Sequence, residues 1–325
     1  MKAYNIWLTT MCNLKCSYCY EKDKYKDLSL KKEDIYELTD YILQTAEDEI
    51  IVNFHGGEPL LCIELIDEIC KILEKSNTII YYTMTTNGTL LSEDNIKIIL
   101  RHRISLSISI DGTEKIHNLS RVSKNGQETY SKCVAGIKMA SSYGIDIRAR
   151  MTVTTQTYNE LYESVVCISK MGVDVIVAIP DYYSSLWTDE MLYSIETSIK
   201  KIQLDLSKDK FVFLDDNICE KGECLGGIEE INIFPNLDLY PCTLVVGIEE
   251  YCLGNIKQKT WNQQVIDKIH FESKKQIREC EGCSLYTSCI THRCRLLNLI
   301  LTGKSNCASE IICGFENLIY RISTV

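Results

Sequence analysis

The stretch "TTMCNLKCSYCYE" places Cys12, Cys16 and Cys19 within eight residues, spaced by three and then two intervening positions. Three thiolates from one loop can converge on three corners of a 4Fe-4S cluster and leave the fourth iron without a protein ligand. An iron left open in this way binds substrate or cofactor. The competing reading is a zinc knuckle or a scatter of buried thiols, because zinc also takes thiolates and free cysteine is among the most buried residue types.

A loop with open chemistry needs elements to hold it. Strand-like runs fall near residues 4–9, 50–54, 79–85, 105–110, 146–153 and 173–179. Each is followed by a segment with apolar residues at three- and four-residue spacing, near 31–46, 61–75, 92–102, 129–143, 158–171 and 188–206. Alternation without hairpin signals predicts right-handed crossovers and a parallel sheet, hence an α/β fold with an open or partial barrel of six units. Ligands in such sheets sit at the carboxyl ends of the strands, and the triplet follows the first strand directly.

Other strand ends carry residues suited to the same place. "HGGEP" follows the second strand, "TTNG" the third and "SISIDG" the fourth. Glycines there let backbone N–H and C=O groups approach an amino-acid moiety closely, and Glu58, Ser109 and Asp111 can bind an ammonium group or ribose hydroxyls. Singly, Asp111-Gly112 is a common turn pair and Gly56-Gly57 turns the chain. Their joint placement at successive strand ends is what points to a site.

Composition narrows the partners. The chain has 325 residues, 45% hydrophobic and 25% charged, ordinary for a globular protein. A net charge of −10 with no dense Lys/Arg block argues against nucleic acid. No signal-peptide core and no apolar run of spanning length occurs, so a cytoplasmic protein without membrane association is expected. In that reducing compartment 17 cysteines favour metal ligation over disulfides.

From about residue 212 the pattern changes to cysteine-rich, turn-rich sequence. It holds Cys219, Cys224 and Cys242, then Cys280, Cys283, Cys289 and Cys294, then Cys307 and Cys313. Eight thiolates suffice for two more four-ligand clusters, while Cys-x2-Cys knuckles also suit zinc. A division into residues 1–211 and 212–325 is expected. Cys62, Cys70, Cys133 and Cys167 fall among the helices and read as small buried residues, and Cys252 has no clear partner.

With these residues in place, the chain resembles the radical S-adenosylmethionine (SAM) enzymes: CxxxCxxC at Cys12, Cys16 and Cys19, and GGEP at 56–59. The resemblance implies a partial (β/α)6 barrel in which SAM chelates the open iron and yields a 5'-deoxyadenosyl radical that abstracts hydrogen. It implies SAM contacts at Tyr18, Gly57, Ser109 and Arg121, with Ile179 near the adenine. Gly56, Glu58 and Asp111 complete the expected cofactor set.

The tail resembles the small SPASM extension of that family in "LYPCT", "LGNI", "CEGCSLYTSC" and "TGKSNCASEIIC". By that resemblance Cys219, Cys224, Cys242 and Cys294 hold one auxiliary 4Fe-4S cluster. Cys280, Cys283, Cys289 and Cys313 hold a second, with Cys307 the competitor for its last place. Leu237 stands where the family has glycine, and the four-residue gap before Cys294 also departs from it, so the first auxiliary cluster is expected to be open or differently ligated.

Such proteins modify ribosomally made peptides by forming thioether or carbon-carbon crosslinks or by epimerisation, or they oxidise a residue of a sulfatase. Thr243 stands where sulfatase-maturating relatives carry an aspartate base, and its hydroxyl does not accept a proton comparably. A thioether-forming maturase of a Cys-containing precursor peptide is therefore the leading expectation. A zinc-stabilised binding protein is the alternative from another class. The chemistry needs a reductant at the low end of the Fe-S range, so a flavodoxin or ferredoxin donor and anaerobic physiology are implied. As the chain starts at its first strand, leader recognition falls to the barrel and tail surfaces or to a separate protein.

Overall fold

In the computed structural model, residues 1–21, 27–184, 186–207, 209–214 and 222–323 are described. They form two compact units, one of Met1–Ser109, His117–Arg148 and Leu225–Ile266, the other of Ile110–Ile116, Ala149–Cys224 and Asp267–Val325.

The first unit carries β1 (Lys2–Thr9), β2 (Glu49–Gly56), β3 (Ile79–Thr86) and β4 (Ser105–Ser109). β1 pairs parallel with β2, β2 with β3 and β3 with β4. In β1, Tyr4, Ile6, Trp7 and Leu8 are all buried, so both faces of this strand are covered, as a parallel strand flanked by helices requires. β2 instead alternates, with Ile50, Val52 and Phe54 inward.

The helices follow from apolar spacing. Ile35, Leu38 and Ile42 make one buried stripe on Ile35–Thr45, and Ile66, Ile69 and Leu73 make another on Ile63–Leu73. Ser92 caps Glu93–Arg101 by accepting from the Asn95 amide at 3.3 Å.

The second unit holds the larger part of β5 (Ile147–Val153), together with β6 (Val175–Pro180) and β7 (Phe211–Phe213). β6 and β7 pair parallel. The helices Leu161–Ser169 and Asp189–Asp205 bury Leu161, Val165 and Ile168, and Ile195, Ile199 and Ile202. The expected α/β class and all six strand-helix units stand, with boundaries moved by a few residues.

The sequence reading missed the strands beyond the sixth. In the first unit β8 (Glu230–Ile233) pairs parallel with β1 on the side away from β2, and β9 (Asp238–Tyr240) and β10 (Gly254–Asn255) continue antiparallel. The tail thus contains a hairpin where none was expected. Its turn puts Leu237 at φ 69°, the left-handed conformation that favours glycine. Leucine there costs about 1–2 kcal/mol in backbone sterics. Its side chain is completely buried, which offsets that cost. Among the described residues no helix is long and apolar enough to cross a membrane.

Candidate functional site

The triplet loop leaves the end of β1 and is held by three separate segments of the first unit. "HGGEP" docks first: Gly57 N donates to Thr9 O at 2.7 Å and Glu58 N to Met11 O at 2.8 Å. The approach is so close that a Cβ on Gly57 would lie 2.1 Å from Met11 O, and one on Gly56 2.3 Å from Thr9 O. Glycine is needed at both positions because backbone meets backbone there.

"TTNG" docks second. Asn87 Nδ2 donates to Cys12 Sγ at 3.8 Å and to Asn13 Oδ1 at 2.9 Å, and Asn13 Nδ2 donates to Thr89 Oγ1 at 2.9 Å. The segment 120–124 is the third: Lys15 N donates to Val122 O at 2.8 Å, Ser17 N to Ser120 O at 3.0 Å and Lys124 N to Asn13 O at 3.2 Å. This docking brings Arg121 to the triplet. Its guanidinium lies 5.3 Å from the centre of the Tyr18 ring and is buried rather than solvated.

Glu58 is the second charged group at this place. Its carboxylate is 1% exposed. Oε1 accepts from Leu60 N at 3.1 Å and Thr86 Oγ1 at 2.6 Å, and Oε2 accepts from Asn87 N at 2.8 Å. Three donors favour the charged form, yet burial outweighs them and pushes the carboxyl up to about 6. No cation among the described residues pairs with it. Burial likewise pushes the Cys12 thiol up to about 11, with Glu58, Cys16 and Cys19 adding to the shift.

The remaining expected contacts are placed as follows. Ser109 ends β4, half-buried, and its carbonyl accepts from Cys133 Sγ at 3.5 Å. In the second unit Asp111 is buried and accepts from Thr152 N at 3.0 Å, and Ile179 is half-buried near the end of β6.

The tail cysteines divide. Cys280, Cys283, Cys289 and Cys313 are grouped in the second unit: burial pushes Cys313 up to about 11, and its three partners add to the shift. Cys307 Sγ donates to Glu279 Oε1 at 3.8 Å. Cys294 is also driven up to about 11 by burial, with Cys224 beside it. Cys242 precedes the short turn Thr243–Val245 in the first unit, and Cys219 lies outside the described residues. Of the cysteines read as buried, Cys70 and Cys133 are so, whereas Cys62 and Cys167 are half-buried.

Among the described residues no three His, Cys, Asp or Glu side chains are gathered tightly enough to hold one metal ion. A tetrahedral zinc needs each sulfur about 2.3 Å from the ion. The all-thiol sets suit soft metals, zinc and Fe-S clusters among them.

Sequence reasoning missed the supports behind these residues. Thr129 Oγ1 donates to the Arg121 carbonyl, and buried His117 meets Thr129 Oγ1 at 3.2 Å. No local pattern marks such partners.

The Radical SAM superfamily model matches residues 7–166. A cysteine-type anaerobic sulfatase-maturating enzyme of Clostridium novyi is 26% identical, the match covering 86% of this chain and 83% of that one. An uncharacterized protein of Methanocaldococcus jannaschii is 31% identical over 80% of this chain and 90% of its own. Among solved structures, anSMEcpe with bound AdoMet and the Kp18Cys peptide has the same fold, with TM-score 0.84, 19% identity and coverage of 99% and 96%.

The chain belongs to the Radical SAM superfamily. It is an enzyme, and the family implies SAM and a 4Fe-4S cluster as its cofactors.

Proposed function

We propose that the enzyme matures a ribosomally made, Cys-containing precursor peptide, forming an intramolecular thioether. The observation that carries the reading is the second all-thiol group at Cys280, Cys283, Cys289 and Cys313, beyond anything SAM binding needs. In this reading residues 1–211 form the radical SAM domain and 212–325 the auxiliary-cluster domain.

Cys12, Cys16 and Cys19 would hold the SAM-binding cluster. Glu58, whose buried carboxylate pairs with no cation among the described residues, would take the SAM ammonium, and Arg121 the carboxylate. Tyr18, Gly56, Gly57, Ser109, Asp111 and Ile179 are the other residues this reading assigns to SAM. Cys219, Cys224, Cys242 and Cys294 would hold one auxiliary cluster and the carrying thiol group the other. When bound at the reduced cluster, SAM supplies the 5'-deoxyadenosyl radical. The chain's own residues hold the amino-acid moiety between opposite charges and exclude water around it. A flavodoxin or ferredoxin donor and a separate leader-recognition protein belong to the same reading, as does a cytoplasmic, anaerobic setting.

The Glu58 assignment predicts a pH dependence. Below about 6 the carboxyl takes up a proton and its attraction for an ammonium is lost. SAM affinity should therefore fall about threefold to fivefold between about pH 7.5 and pH 5.5 in calorimetry on the iron-loaded protein. Affinity that does not fall over this range would remove Glu58 from the ammonium site. Without ligand the sign reverses. The raised pKa favours the fold below the ordinary value of 4.5, and that contribution is lost as pH rises through about 6.

Sulfatase-type oxidation is the second reading, favoured by the 26% identical relative. Against it stands Thr243, a half-buried hydroxyl at the place of a base. The two readings separate by product. With SAM, reductant and a Cys-containing precursor peptide, thioether formation removes two hydrogens and the free thiol while leaving the sulfur in place. Conversion of a sulfatase-derived peptide to an aldehyde, with the precursor left unchanged, would overturn the first reading.

A further inference from the structure

Three asparagines stand side by side on adjacent strands of the first unit. Asn232 of β8 pairs in register with Asn5 of β1, Asn5 with Asn53 of β2, and Asn53 with Thr83 of β3. Central parallel strands are ordinarily apolar runs, and asparagine is depleted in strands of any kind. A polar row across four strands breaks that rule. It is half-buried at Asn53 and Thr83, whereas the opposite face of the same strands, with Val52 and Met84, is fully buried. The row thus lies on the face that a ligand can reach.

The hydrogen bonds along the row all run one way. Thr83 Oγ1 donates to Asn53 Oδ1 at 3.0 Å, Asn53 Nδ2 to Asn5 Oδ1 at 3.0 Å, and Asn5 Nδ2 to Glu230 Oε1 at 2.9 Å. A second branch reaches the same oxygen: Trp7 Nε1 donates to Asn232 Oδ1 at 3.4 Å, and Asn232 Nδ2 to Glu230 Oε1 at 3.4 Å. Both branches keep one sense because an ionised carboxylate only accepts and an indole N–H only donates. Two amides are spent on Oε1 of this half-buried side chain. Among the described residues, no donor reaches Oε2 and no cation pairs with the carboxylate.

We propose that Glu230, fixed by Asn5 and Asn232, binds a lysine or arginine side chain of the peptide being modified. The inference rests on the reading of the enzyme as a peptide maturase. The chemistry selects a cation. The row offers lone pairs at both ends, since the Thr83 hydroxyl proton is already committed to Asn53, and one end carries a charge. A charge-assisted bond to a carboxylate that is already oriented costs little reorganisation. Position sets the spacing. Glu230 is level with Ala3, six residues before Thr9, where the triplet loop begins. At about 3.3 Å per residue that is about 20 Å along the strand, so an extended peptide places its cation about six residues from the carbon that reacts.

The test uses the full iron-loaded chain with SAM and two series of labelled synthetic peptides, otherwise uncharged. Each peptide carries one Cys, and one series has a Lys at varied distance from it where the other has Gln. In fluorescence anisotropy, wild-type protein should bind the best Lys peptide about tenfold more tightly than its Gln partner, the worth of one hydrogen bond to a charged group. The preference should peak at a separation of about six residues. It should vanish in Glu230→Gln, which keeps the shape and an acceptor for Asn5 but removes the charge.

Equal binding of the Lys and Gln series by wild-type protein would overturn the inference, and modification of the Cys in both series would leave the peptide reading standing. A Lys preference that survives in Glu230→Gln at full iron content would overturn the inference too. Failure of every peptide to bind or to be modified would overturn both. The wild-type comparison decides the matter even where Glu230→Gln does not load.

Discussion

Gly57→Ala is expected to abolish iron loading at the triplet and with it all reductive cleavage of SAM. The added Cβ would stand 2.1 Å from Met11 O and 2.8 Å from Thr10 O, both backbone atoms with no rotamer to escape into. The clash therefore forces "HGGEP" away from the loop. With it go the hydrogen bonds Gly57 N to Thr9 O and Glu58 N to Met11 O that fix the approach to Cys12.

Iron should drop by about four per chain, the content of one cluster, while the tail clusters remain. Gly144→Ala is the control: it has φ 71° and nothing within 4 Å of its added Cβ. That change costs only left-handed strain, about 1–2 kcal/mol, and should leave iron and cleavage intact. Wild-type iron and cleavage in Gly57→Ala would show that the two segments are not joined as described.

Cys313→Ala and Cys307→Ala should differ sharply. Cys313 shares its surroundings with Cys280, Cys283 and Cys289, whereas Cys307 Sγ faces Glu279. Cys313→Ala should lose iron, up to about four atoms per chain, and with it peptide modification, but keep SAM cleavage at the triplet. Cys307→Ala should keep all iron. Chemical iron analysis beside product chromatography reads both effects, and the reverse pattern would move the last ligand to Cys307.

Much of the fold was legible because each of the six strand-helix units carries its own stripe. The spacing of Ile35, Leu38 and Ile42, or of Ile195, Ile199 and Ile202, is a helix signal within one segment. β8 was not legible. Its four residues are too few to show alternation, and it exists because β1, buried on both faces, needs a partner on its free edge.

The site divides in the same way. The triplet and GGEP announce themselves by spacing. The hold on Glu58 comes from Thr86 and Asn87, 28 and 29 residues away in sequence, and the burial of Arg121 comes from the docking of 120–124 on the triplet loop. Glu230 gave no sequence signal at all, since a lone carboxylate reads as a surface charge until its hydrogen bond from Asn5 is seen.

The central claim is that the triplet holds a cluster whose open iron binds and cleaves SAM. Its most direct test is anaerobic reconstitution followed by reduction with SAM present, reading iron per chain and 5'-deoxyadenosine together in wild-type and Cys16→Ala protein. The account predicts about twelve irons for three clusters and steady 5'-deoxyadenosine from the wild type, with about eight irons and no 5'-deoxyadenosine from Cys16→Ala. Tightly bound zinc without iron, and no 5'-deoxyadenosine from either protein, would contradict it.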